Sequence, residues 1–213
     1  MEKIGGLRSG SYPTASLDKR TIAVIISRMS NAVEELVIRA RDHYVAQFRA
    51  FTRRQRKTCA TGAAEVKFEL GADSSAYRGL AVVDFVRNDN GTEGILFEPD
   101  TVLTFDRIEG NIAETVLVIE GLRWDAVSIS HDVLNVDQAI STWFEKWFDP
   151  DEVNFDQSVD PSNCIHAVYI ETNELQVDLG TAPAEAFWEL LDSLASGEAS
   201  FVNVRSQASL KGG

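Results

Sequence analysis

Residues 165–179, Ile-His-Ala-Val-Tyr-Ile-Glu-Thr-Asn-Glu-Leu-Gln-Val-Asp-Leu, decide how the second half of this chain is read. Leu175, Val177 and Leu179 alternate with Gln176 and Asp178, the period of a strand with one wet and one buried face. Ile165–Thr172 and Glu174–Leu179 flank Asn173, so the stretch reads as a hairpin. Working outward, a helix follows from about Pro183 to Ala195. Pro is tolerated in a first turn and Gly197 suits the exit. Its buried face is Phe187, Leu190, Leu191 and Leu194, with Trp188 near the edge. A last strand is expected over Ser200–Val204, with a frayed tail from Arg205 to Gly213.

Upstream, residues 149–163 are acidic and contain Pro150 and Pro161, which reads as a long loop. Asp149, Asp151, Glu152, Asp156 and Asp160 lack the glycine and the twelfth-position glutamate of an EF-hand, so no calcium site is assigned. Before the loop, Val136, Ile140, Trp143, Phe144 and Trp147 form an apolar helical stripe. Asn135 and Gln138 stand at capping-box spacing, and Pro150 ends the helix. The aromatics are read as core packed on a sheet rather than as a ligand pocket.

Earlier still, strands are expected near 64–70, 79–87, 93–98, 101–108, 112–119 and 122–130. Asn90-Gly91 is a hairpin dipeptide, because a type I′ turn needs positive φ at both central residues. Glu109-Gly110-Asn111 and Glu120-Gly121 supply the next reversals. Strands joined this closely are expected to pair antiparallel. The fold class is therefore α+β: a mostly antiparallel meander sheet packed by two short helices.

The N-terminal part differs. From Leu17 to Lys57 there is neither Pro nor Gly. Ile22, Ile26, Met29, Val33, Leu36, Ala40, Tyr44, Phe48 and Phe51 fall at helical steps. Asn31 with Glu34 has capping-box spacing, so the helix is either continuous or broken near Ser27–Ser30. Unbroken, it would extend ~60 Å, past a body roughly 40 Å across. Its stripe then needs another chain, or the helix bends onto its own sheet. The seam over residues 26–40 suits a coiled coil; the later run of fours is a stutter.

Charge follows the same division. Residues 1–60 carry twelve Lys and Arg against five Asp and Glu; residues 61–213 carry eight against twenty-eight. The chain is read as a flexible start plus long basic helix (1–60), an appendage or oligomerisation element, and an acidic α+β body (61–213). Arg49, Arg53, Arg54, Arg56 and Lys57 cluster at the helix end, where cations complement the dipole. With Met29, Val33 and Leu36 they are the candidate interaction residues.

Chemistry-bearing motifs are sparse. Cys59 and Cys164 make neither a disulfide framework nor a metal site, and read as reduced thiols in a cytoplasmic protein. No two of His43, His131 and His166 have metal-ligand spacing. Cys164 and His166 share a strand face about 7 Å apart by strand rise, with nothing marking an oxyanion site. There is no phosphate loop and no nucleophile elbow. No catalytic, cofactor-binding or metal residue is assigned, and no cofactor. No segment approaches the ~20 apolar residues of a membrane span. The expectation is a non-enzymatic soluble interaction protein, self-associating through the helix, with a protein partner possible. One alternative is nucleic-acid binding by the basic arm, which the overall charge of −13 opposes. Another is a small-molecule-binding protein or enzyme without a linear motif.

Overall fold

The computed structural model describes residues 19–89, 91–100, 103–153 and 161–206, with the backbone alone over 19–30. The chain divides into two compact units, Met1–Glu35 and Leu36–Gly213. Helix α1 covers Lys19–Thr58. It carries no interruption at Ser27–Ser30, in keeping with the absence of Pro and Gly from the whole run. In the first unit the described backbone is this helix. In the second, its remainder buries Leu36, Val37, Ala40, Tyr44, Val45, Phe48 and Phe51. These are the 3–4-spaced positions of one face.

The second unit is α+β with two sheets. A three-stranded antiparallel sheet has the order β1 (Ala63–Glu69), β2 (Leu80–Arg87), β3 (Glu93–Ile95). A six-stranded sheet is built from β4 (Ile108–Ile112), β5 (Thr115–Ile119), β6 (Val127–His131), β7 (Ala167–Glu171), β8 (Glu174–Asp178) and β9 (Phe201–Ser206). Its order is β4-β5-β9-β6-β8-β7. Every pairing is antiparallel except β5 with β9, which is parallel. The hairpin at Asn173 forms, with Ile170 opposite Leu175 and Val168 opposite Val177, but Asp178, expected on the wet face, is buried.

Two helices follow their sequence signals closely. The first is α2 (Val136–Phe148), where the Asn135 side chain accepts from the Gln138 N–H and Asp149 closes the end in a left-handed conformation. The second, α3 (Ala184–Ser196), ends at Gly197. Ile140, Phe144, Phe148, Phe187, Leu190, Leu191 and Leu194 are fully buried. Each such side chain contributes ~1.5–3 kcal/mol relative to exposure. The Trp143 indole donates to the Ala186 carbonyl at 2.7 Å, tying α2 to α3.

Several details depart from the sequence reading: the strand expected over 93–98 ends at Ile95, and that over 122–130 begins only at Val127. Residues 103–107 form no strand, and residues 101–102 lie outside the described part. Glu109-Gly110-Asn111 is not a reversal but lies inside β4, where Gly110 pairs with Leu117; the turn is at Ala113-Glu114, with Ala113 at φ 51°. Pairing with the apolar β5 outweighs the turn preference of Gly and Asn. Finally, β5 does not continue the meander into β6, because β9 lies between them. β9 also takes in Arg205 and Ser206; the rest of the expected tail lies outside the described residues.

Candidate functional site

Four ionisable side chains meet where the two sheets abut. Glu65 lies in β1, Asp84 in β2, Asp178 ends β8, and His166 immediately precedes β7. All four are at most 4% exposed. The backbone sets this up. The register places Ala64 opposite Phe85 and Val66 opposite Val83, so Glu65 stands across from Asp84. Glu65 is at φ 52°, a left-handed conformation inside a strand. Such a residue persists only where its surroundings hold it. Meanwhile the His166 N–H donates to the Asp178 carbonyl at 2.9 Å, and its carbonyl accepts from Val82 at 2.8 Å. The imidazole is thereby fixed between strands.

Both ring nitrogens face carboxylates. Nε2 is 3.0 Å from Glu65 Oε1. Nδ1 is 3.2 Å from Asp84 Oδ1 and 3.9 Å from Asp178 Oδ1. The acids are held in turn. Glu65 Oε2 accepts from the Ser162 N–H at 2.6 Å, and the Thr181 hydroxyl donates to Oε1. Asp84 Oδ2 accepts from the Phe97 N–H at 2.7 Å, and Asp178 accepts from the Gly180 N–H at 2.9 Å. The Phe97 bond explains why β3 stops at Ile95: the chain leaves the ladder to serve Asp84. Cys164 Sγ lies 3.9 Å from Glu65 Oε1. The Phe48 ring of α1 covers the imidazole at 5.7 Å between centroids.

The electrostatics follow from burial and charge. Burial alone would lower the His166 pKa, but Asp178, Asp84 and Glu65 outweigh it and push it up to about 10. Burial likewise opposes the Glu65 anion, yet His166, Thr181 and the Ser162 N–H hold its pKa below the ordinary value. Burial, reinforced by Glu65, drives the Cys164 thiol well up. Tyr44 is raised strongly by burial and by Asp178, Asp84, Asp125 and Glu65. A neutral, buried thiol beside an imidazolium already engaged by carboxylates is not an activated nucleophile.

Cys164 and His166 precede β7 rather than share a strand face, and the loop there brings them closer than strand rise would, with Glu65 as a third member. These three offer donor atoms within 4.8 Å of one another. Glu65, Asp84 and Asp178 carry no linear motif. Asp84 alone is marked, as an acid inside an otherwise apolar run, Ala81-Val82-Val83-Asp84-Phe85-Val86.

The other histidines lie elsewhere. His131 is buried, with burial lowering its pKa, and its Nδ1 accepts from the Val133 N–H. His43 bonds Gln47 on α1. A cleft of about 920 Å³ along α2 and α3 is lined by Asp132, Asn135, Gln138, Trp143, Glu189 and Asp192 among others, with neither histidine nor cysteine.

The expected interaction residues are distributed along α1. Arg49, Arg53, Arg54, Arg56 and Lys57 are exposed, Val33 is half-buried and Leu36 is buried. The Met29 side chain lies outside the described residues. Among the described residues, Arg49, Arg53, Arg54 and Lys57 make no ion pair. No described helix is long and apolar enough to cross a membrane. Comparison with protein-family models, curated proteins and solved structures finds no match.

Proposed function

We propose that this chain is a non-enzymatic interaction protein that self-associates through its N-terminal helical segment. The observation that carries this reading is the extent of α1. Its helical backbone begins at Lys19, within a unit separate from Leu36–Gly213. There the sequence keeps an apolar stripe of Ile22, Ile26, Met29 and Val33. A stripe at steps of four and three is the seam along which helices of separate chains associate. The exposed cations Arg49, Arg53, Arg54 and Lys57 support it further. The segment 61–213 carries eight basic against twenty-eight acidic residues, so a second copy offers a complementary surface.

Size-exclusion chromatography with light scattering tests this on the full chain. A dimer or larger species is expected, weakening with salt. The double variant Met29→Glu/Val33→Glu is expected to run as a monomer with unchanged circular dichroism. A wild-type monomer at every concentration and salt would overturn the proposal.

A further inference from the structure

We propose that Glu65, Cys164 and His166 form a binding site for one zinc ion, with Asp84 as the residue that orients His166. This inference concerns the Leu36–Gly213 unit and does not depend on self-association.

The donor set points to the metal class. A thiol, an imidazole and a carboxylate suit a borderline-soft cation, whereas calcium and magnesium select oxygen alone. All three donors are buried. Glu65 Oε1 is already 3.0 Å from His166 Nε2 and 3.9 Å from Cys164 Sγ. Tetrahedral zinc with bonds of ~2.0–2.3 Å places neighbouring donors about 3.3–3.6 Å apart. The two pairs that include Glu65 need only a few tenths of an ångström, and Cys164 and His166, which lie within 4.8 Å, close by at most about 1.3 Å. A water takes the fourth position.

The second layer supplies a carboxylate at the right distance, with the ring N–H not yet aligned to it. A zinc-bound histidine usually donates its other ring N–H to a carboxylate, which fixes the tautomer. With Nε2 toward Glu65, Nδ1 lies 3.2 Å from Asp84 Oδ1, and Asp84 is itself held by the Phe97 N–H. Glu65 is fixed by the Ser162 N–H and the Thr181 hydroxyl. Its left-handed backbone turns the carboxylate to where Cys164 and His166 converge. Binding is charge-neutral: one divalent cation replaces two protons, one from the imidazolium and one from the thiol. Because the donors are dry, the ion enters while the chain folds.

The test uses the full chain refolded with excess zinc, then freed of unbound metal. One zinc per chain is expected, and X-ray absorption should report one sulfur neighbour with nitrogen and oxygen. Refolding with cobalt should give a thiolate-to-metal charge-transfer band. That band should persist in Cys59→Ser and vanish in Cys164→Ser. Asp84→Asn should keep the band and the one-to-one stoichiometry but weaken zinc binding by ~10–100-fold. A metal-free chain after refolding in zinc, a zinc form without a sulfur neighbour, or a band that survives Cys164→Ser would each overturn the proposal. The X-ray absorption measurement needs no variant, so it decides even if Cys164→Ser fails to fold.

Discussion

The C-terminal end of α1 and the His166 cluster hold charge in opposite ways. On α1, Arg49, Arg53, Arg54 and Lys57 are exposed and without ion pairs among the described residues. Around His166, four ionisable groups are shut from water and every one has a partner close by. Wet charges cost nothing to fold and act at a distance, so they govern association and its salt dependence. Dry charges are tolerated only as a set, so they govern stability and its pH dependence.

Removing one member of the dry set is the severest way to break this contrast. In metal-free buffer, His166→Ala leaves Glu65 and Asp84 buried without their cation and is expected to cost ~3–5 kcal/mol. Urea unfolding measures it; a loss below ~1 kcal/mol would mean that water already screens the cluster.

Raising the pH is the gentler route to the same end. The His166 pKa is raised in the folded chain, so its stabilisation is complete below its ordinary value of 6.5 and is lost as pH climbs through about 10. Across that window the metal-free chain should lose up to ~1.4 kcal/mol per pH unit. Glu65 acts in the other direction: its pKa is lowered, so its share is present above the ordinary 4.5 and lost as pH falls through the folded-state value. Asp84 and Asp178 face the same ring, and burial holds the nearby Tyr44 and Cys164 well above their ordinary values. Urea midpoints that stay flat between about pH 7 and 9 would contradict the assignment.

Gly180→Ala sharpens the comparison sterically. Gly180 has φ +51°, and a Cβ there would meet the imidazole at 2.2 Å. A loss of ~2–3 kcal/mol is expected, read as a lower Tm, with the pH dependence blunted because the ring is displaced. The smallest effect belongs to α1. Arg53→Gln with Arg54→Gln should change stability by less than ~0.5 kcal/mol, while weakening self-association at low salt. A Tm shift as large as that of Gly180→Ala would show that these arginines are structural.

Much of the architecture can be read from short-range signals. α2, α3 and the Asn173 hairpin are legible because cap, period and turn lie within a few residues of one another. The same logic misplaced the turn at Gly110-Asn111, where a partner strand decides and local preference yields. β9 is legible as a strand, but its place between β5 and β6 depends on pairing across some eighty residues and leaves no local trace. The cluster is harder still. Cys164 and His166 stand close in sequence, yet strand spacing puts them too far apart to meet and only the loop before β7 brings them together; Glu65, Asp84 and Asp178 are ordinary acids in an acidic chain until three strands bring them to one ring.

The position of β9 also bears on synthesis. The β4-β5 hairpin joins the β6-β8-β7 group only through Phe201–Ser206. While the ribosome is still making residue 200, the larger sheet exists as two fragments with unpaired edges. At ~5–20 residues per second, the β5 edge waits several seconds for its neighbour. A nascent chain stalled just short of β9 would therefore be a good client for a chaperone that shields strand edges.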